Sequence, residues 1–322
     1  MSKPTYDLAV GYRMCPRISN NCHLFEANEK LELSEICLKS FMESIGDLKV
    51  KVIAILDNCP EEYVNIFKKH VPSENLEIVE IDCKSNRGSF LRQIEILLGQ
   101  GYSDNIFFLE DDYLFLPNSL PNIVNYLVEN NVDFVTPYHH RDFFTEPLFQ
   151  TKRKYFEHKE YIWQEVMATC GTFLTTKKVL KETQDQFAML GIPGTSDIQI
   201  FLRLTKTNMF NFSLFMKLAF LAIKTRFVFL MRYLGFFNEK LRSYHGLSVF
   251  IQAWFKGNGW RHVLFGKRYK LHAPTFSVST HVSRKYLSPN IDWIQRIQSI
   301  CKNLGIKKDL SMPKNKDLYF DI

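Results

Sequence analysis

Through the first 140 residues, short apolar runs alternate with segments whose apolar side chains recur at three- and four-residue spacing, and few folds accommodate that order. Tyr6–Gly11, Val50–Leu56, Leu76–Ile81, Asn105–Leu109 and Asp133–Pro137 read as strands. Leu31–Ile45, Glu61–His70, Ser89–Gln100 and Ser119–Glu129 read as the helices between them. A βαβαβαβαβ series is the pattern of a parallel sheet covered by helices. In such open sheets ligands sit beyond the carboxyl ends of the strands, so the residues that follow each strand are where chemistry is expected. The length of 322 residues suits one large α/β domain with an appendage, and a composition 46% apolar and 23% charged excludes a disordered chain. A mean hydropathy of −0.16 excludes a multi-span membrane protein.

After the first strand come Tyr12-Arg13-Met14-Cys15-Pro16-Arg17; after the second, Asp57-Asn58; after the third, Asp82 and Asn86-Arg87-Gly88; after the fourth, Glu110-Asp111-Asp112. Polar and charged groups therefore converge on one edge. No G-x-G-x-x-G follows the first strand and no G-x-x-x-x-G-K-[ST] occurs, so neither a dinucleotide fingerprint nor a P-loop is present. The apolar run Ile106-Phe107-Phe108-Leu109 leads straight into the three acids. Adjacent carboxylates resist joint ionisation, whereas Mg²⁺ or Mn²⁺ takes oxygen ligands and often bridges one or two carboxylates to substrate phosphates. The triplet reads as a metal–diphosphate site. The competing reading is a solvated strand end with Asp112 near the N-terminus of the next helix.

From about Tyr138 aromatic and basic residues crowd the chain as far as Trp163. A small-residue turn, Ala168-Thr169-Cys170-Gly171-Thr172, then leads into helix-like Thr176–Leu190, where a second active-site half begins. His139 and His140, beside Arg141 and Asp142, point oppositely if they lie on a strand, so at most one reaches a cleft. Asn208–Phe237 is apolar but broken by Lys217, Lys224, Arg226 and Arg232, too short in its uninterrupted stretches to span a bilayer. With Lys217, Lys224 and Arg232 in one helical sector, it reads either as an interfacial amphipathic helix or as a buried helix capping the core. The 41 basic and 34 acidic residues leave +7, too modest to name nucleic acid, and the surplus falls mostly after residue 200. Seven cysteines show neither a C-x-x-C pair nor zinc spacing, and Met1–Val10 lacks the pattern of a secretory signal, so a reducing cytoplasm is expected.

Phe108-Leu109-Glu110-Asp111-Asp112-Tyr113, followed by Leu116-Pro117-Asn118, resembles the Glu-Asp-Asp version of the metal-binding motif of GT-A glycosyltransferases. Other landmarks of that family recur in order over roughly residues 5–285: Asp57, Asn86–Gly88 with Arg92 downstream, Cys170-Gly171-Thr172, Asp197 in Gly194-Thr195-Ser196-Asp197, and a late histidine, His281. The resemblance implies that Asp112 and His281 hold Mn²⁺ or Mg²⁺ on the donor diphosphate, with Arg284 and Lys285 beside them. It also implies that Glu110 and Asp111 face the ribose and donor sugar, and that Asp57 contacts the nucleoside. Tyr12, Arg13 and Arg17 from the first loop, Arg87 or Arg92 from the third, and Gly171 complete the donor site. Asp197 is the implied general base, taking the proton of an acceptor hydroxyl in an inverting transfer. Ser196-Asp197 stands where an acidic pair is common in the family, and Glu165 is the reserve. Read from the residues alone, Asp197 also suits a helix first turn, His281 a structural histidine with His272 as its rival, and Gly171 a simple turn.

The expected architecture is a GT-A (Rossmann-like) mixed α/β sheet flanked by helices. Residues 1–205 form the core, with a nucleotide-sugar half at 1–137 and an acceptor half at 138–205; an amphipathic helical insertion occupies 206–259, and the segment 260–322 returns to the active site. The expected activity is metal-dependent transfer of a sugar from a nucleoside diphosphate, UDP by preference, to a glycan or lipid-linked acceptor in surface polysaccharide synthesis. Nucleic acid is not an expected partner. Peripheral contact through 208–237 would place the enzyme on the inner face of the cytoplasmic membrane. A sugar nucleotidyltransferase and a non-catalytic carbohydrate-binding protein are the alternatives.

Overall fold

The computed structural model describes residues 5–18, 24–83, 85–140, 142–149, 153–233, 246–283, 286–289 and 291–307. Strands β1 (Leu8–Met14), β2 (Val50–Asp57), β3 (Leu76–Ile81) and β4 (Asn105–Glu110) pair in parallel in the order β3-β2-β1-β4. Helices α1 (Lys30–Ser44), α2 (Glu61–His70) and α3 (Asn86–Gly99) make the crossovers between them. Every residue of β1 and β2 is buried, which is why these stretches are apolar on both faces rather than alternating. Phe107 and Phe108 show the consequence: neighbours on β4, they enter the hydrophobic clusters on opposite faces of the sheet.

Beyond β4 follow β5 (Tyr113–Phe115), α4 (Leu120–Glu129), β6 (Phe134–Val135), α5 (Asp142–Thr145), β7 (Tyr155–His158), β8 (Tyr161–Glu165) and β9 (Phe173–Thr176). β9 lies antiparallel between β4 and β6, and the late strand β10 (Leu271–Pro274) inserts between β6 and β8. The sheet is therefore nine-stranded and mixed, flanked by helices on both faces, the α/β class expected from the sequence. The register of β1 differs from expectation. It starts two residues later and ends three residues later, so Tyr12 and Arg13 belong to the strand rather than to the loop after it.

A second, two-stranded ribbon pairs β5 antiparallel with β11 (Ser279–His281), setting His281 opposite Tyr113. Under it Leu33 and Ile36 of α1 pack with Trp293 and Ile297 of the last helix, Trp293–Leu304. On the other side of the main sheet lie α6 (Lys177–Ala188), α7 (Asp197–Thr205), α8 (Phe212–Tyr233), α9 (Gly246–Phe255) and α10 (Gly259–Phe265). Leu214, Leu218, Phe250, Ala253 and Val263 join the same buried cluster as Phe108 and Phe201, so these helices extend the core. No helix among the described residues is long and apolar enough to cross a membrane.

Candidate active site

A cavity of about 670 Å³ opens at the carboxyl ends of β1, β2 and β4. Its floor is the turn from β4 into β5. The β5–β11 ribbon fixes that turn from the far end of the chain: the Val282 amide donates to the Asp112 carbonyl at 2.8 Å, and His281 Nε2 lies 3.1 Å from the Asp112 carboxylate. Burial works against a charge on His281, but Asp112 outweighs it and the imidazole titrates above its ordinary value. An acid and an imidazole 169 residues apart in sequence thus meet because two three-residue strands pair.

Asp111 turns the other way. Its carboxylate meets Lys30 Nζ of α1 at 2.8 Å and accepts from the Cys15 amide at 3.2 Å and the Ser34 hydroxyl at 3.3 Å. Burial raises the Asp111 carboxyl and Lys30 opposes that shift; burial also disfavours the Lys30 charge, but Asp111 outweighs it and keeps the ammonium protonated. Glu110 pairs with Arg13, whose guanidinium also donates to the Asn86 carbonyl and Ser89 Oγ, each at 3.0 Å. Burial pushes the Glu110 carboxyl up to about 7, with Arg13 opposing and Asp112 adding to the rise.

On the β2 side Asp57 is buried and accepts from the Cys83 amide at 2.8 Å and from Asn58 Nδ2 at 3.0 Å. Asn58 takes a left-handed φ of +54°, a conformation asparagine tolerates, and so turns its amide back onto Asp57. On the opposite side Asp197 opens α7. Ser196 and Gln199 form the capping box of that helix, which leaves the Asp197 carboxylate to line the cavity rather than serve as the cap. Burial raises its pKa.

Residues 28–187 match the model of glycosyl transferase family 2. This stretch, 160 of the 322 residues, is similar to a family 2 glycosyltransferase domain. The matched segment holds Lys30, Asp57, Asn86, Glu110, Asp111 and Asp112, while Arg13 precedes it and Asp197 and His281 follow it. No curated protein matches the sequence. Among solved structures the chain is similar to the galactosyltransferase LgtC in complex with donor and acceptor sugar analogues, at 9% identity over 60% of this chain and 69% of that one, TM-score 0.38. S. aureus TarS 1–349 with UDP is similar at 13% identity over 61% and 54%, TM-score 0.42. Glucosyl-3-phosphoglycerate synthase from Mycobacterium tuberculosis, with Mn²⁺, UDP and glucosyl-3-phosphoglycerate, is similar at 11% identity over 63% and 65%, TM-score 0.38.

In the matched segment and its flanks the structure gathers Arg13, Arg17, Asp57, Glu110, Asp111, Asp112, Asp197 and His281 around one cavity. It does not bring Tyr12 there. On a strand with alternating sides, Arg13 reaches the cavity and Tyr12 is driven into the core, edge-on to Phe41 and Phe67. Arg92 faces solvent on α3 and pairs with Glu95 at 2.5 Å, and Arg87 is not among the lining residues. Gly171 touches the site from behind: a Cβ there would fall 2.9 Å from the Glu110 carboxylate. Glu165, the reserve base, sits on β8 paired with Arg268 at 2.5 Å, outside the cavity. Arg284, Lys285 and Arg141 lie outside the described residues.

The sequence singles out Asn86, which lines the cavity, but not Lys30, Ser34, Ser89 or Tyr286. A lysine opening an amphipathic helix carries no local sign that it will be buried against an acid 81 residues later. His140 and Tyr286 also line the cavity, their rings 5.2 Å apart, and the Tyr138 hydroxyl donates to the Tyr286 carbonyl at 2.7 Å.

The donor set suits a hard divalent cation. Among the described residues five carboxylates line the cavity against the cations of Arg13, Arg17 and Lys30. Among the described residues no three His, Cys, Asp or Glu side chains cage an ion by themselves. Asp112 and His281 would therefore share an ion with oxygens of a bound diphosphate, the habit of Mg²⁺ and Mn²⁺ at phosphate sites.

Proposed function

We propose that the protein is a metal-dependent, inverting glycosyltransferase that moves a sugar from a nucleoside diphosphate, UDP by preference, to a hydroxyl of a glycan or lipid-linked acceptor in surface polysaccharide synthesis. The observation that carries this reading is the Asp112–His281 pair at 3.1 Å, in a cavity that Asp197 enters from the opposite side. Asp112 and His281 would hold Mn²⁺ or Mg²⁺, which supplies charge neutralisation to the departing diphosphate. Asp57, fixed by the Cys83 amide, suits the nucleoside. Arg13, fixed by Asn86 and Ser89, holds Glu110 against the sugar-binding space.

Asp197 accepts the proton of the acceptor hydroxyl as its oxygen bonds to the anomeric carbon, while the bond from that carbon to the diphosphate oxygen breaks on the opposite face. A carboxyl lifted by burial is a stronger base than one in water, which favours that proton transfer. The apolar, basic α8 would bring the enzyme to the cytoplasmic face of a membrane through 208–237, where a lipid-linked acceptor resides. The test is release of UDP from UDP-sugars with and without Mn²⁺. Asp112→Ala is expected to abolish the Mn²⁺-dependent release while the melting temperature holds. Release at the unaltered rate by Asp112→Ala overturns the assignment of the metal site.

A further inference from the structure

Helix α8 is apolar on two sides. Leu214 and Leu218 are buried in the core, whereas Phe212, Met216, Phe220 and Ile223 are each more than half exposed. Those four follow one another at intervals of four, four and three residues, so they form one stripe along the outward face. Lys217 and Lys224, both exposed, run along one edge of the stripe, and exposed Arg226 lies on the other. Among the described residues none buries these four side chains. At the start of α8 the surface continues onto its neighbours: Phe210 lies edge-on to Trp254 at 5.5 Å, Trp254 meets Phe255 at 6.3 Å, and Phe255 and Phe265 are largely exposed.

The stretch of chain that builds this surface carries charge of almost one sign. Between Asp197 and Asp292 the sequence contains a single acid, Glu239, against 15 Lys and Arg. Two copies of the chain meeting here would bring cationic rims together, which is unfavourable. An anionic lipid surface offers the complement to both features, acyl chains for the stripe and phosphates for its rim.

We propose that this surface docks the protein on an anionic bilayer, with Phe212, Met216, Phe220 and Ile223 entering the headgroup–acyl boundary and Lys217 and Lys224 meeting the phosphates. This rests on the membrane-side reading above and narrows it from the whole of 208–237 to one outward stripe. The surface is tied to the reaction centre. Arg203 of α7, fully buried, donates to the Gln252, Ala253 and Lys256 carbonyls at 2.6–2.9 Å, so the end of α9 is clamped to the helix that begins with Asp197. A docked enzyme therefore presents its cavity at a fixed height above the lipid.

The experiment is co-sedimentation of the full chain with vesicles of phosphatidylcholine alone or with about a third phosphatidylglycerol. Anionic vesicles are expected to bind at least about tenfold more tightly than neutral ones. The pair Phe212→Ser with Phe220→Ser, and the pair Lys217→Glu with Lys224→Glu, are each expected to lose at least about tenfold in affinity, with melting temperature and UDP release unchanged. Equal binding to both vesicles, no binding to either, or undiminished binding by both variants overturns the proposal. So does a dimer that the phenylalanine variant converts to monomer, because the stripe would then join copies. A chain that binds anionic vesicles in this pattern yet releases no UDP overturns the transferase reading and supports the docking surface.

Discussion

Up to residue 200 the chain carries 20 basic and 29 acidic residues; after it, 21 and 5. The net of +7 hides a division of labour between an acid-rich first region and a strongly basic second one. In the first, acids are placed at strand ends, where Glu110, Asp111 and Asp112 converge with Asp57 on one cavity. In the second, cations lie on helices around exposed aromatic residues, and His281 reaches back to the cavity of the first. A net charge therefore says little about partners until it is assigned to surfaces. Under the proposals above, one region would attract a cation and the other an anionic surface.

The sharpest way to break that division is Asp197→Asn, which removes the proposed base without touching the strand-end acids. Transfer is expected to fall about 10²- to 10⁴-fold while donor affinity holds, measured as kcat against the Kd for UDP with Mn²⁺. Lys30→Met should come next, because it strands the Asp111 carboxylate in a buried site. A loss of about 3–5 kcal/mol in denaturant unfolding is expected, and much of it should return when Asp111 is also made apolar. A loss under about 1 kcal/mol would show that Asp111 does not depend on its lysine. Gly171→Ala pushes a methyl group into the Glu110 carboxylate and should cost about 1–3 kcal/mol, with a matching disturbance of the Arg13 pair in a crystal structure.

A further effect is graded with pH. Burial lowers His139 to about 3 and His272 to about 4, the latter with its Nδ1 2.8 Å from the Tyr126 hydroxyl. Both are neutral when folded, whereas the unfolded chain takes up their protons below about pH 6.5. Stability from these two is complete above about pH 6.5 and falls as pH descends toward 4, by about 1.4 kcal/mol per pH unit for each. Melting curves between neutral and mildly acidic pH should show the descent, and His272→Gln should flatten it. An unchanged slope would remove His272 from the account.

The four parallel strands and their helices were legible in the sequence because burial on both faces leaves unbroken apolar runs such as Val50–Leu56. The acid triplet was legible for the opposite reason, since three charges after such a run conflict with it. What escaped was whatever depends on pairing between distant short segments. The β5–β11 ribbon has three residues a side, too few for a period to show, yet it is what sets His281 against Asp112. The Lys30–Asp111 pair is hidden in the same way. The side chains turn polar after Gly11, three residues before β1 ends, so the pattern sets Tyr12 in a loop when it belongs to the strand. The outward stripe of α8 was blurred because its sequence is apolar all round, and only the packing of Leu214 and Leu218 says which side is free.

The central claim is that the strand-end acids, completed by His281, hold a divalent ion against a nucleoside diphosphate. Calorimetric titration of UDP into the protein with and without Mn²⁺ tests it most directly. UDP is expected to bind at least about tenfold more tightly with Mn²⁺, and Asp112→Ala is expected to erase that gain while leaving metal-free binding in place. Equal UDP affinity with and without Mn²⁺ in the unaltered protein, or a gain that survives Asp112→Ala, would contradict it.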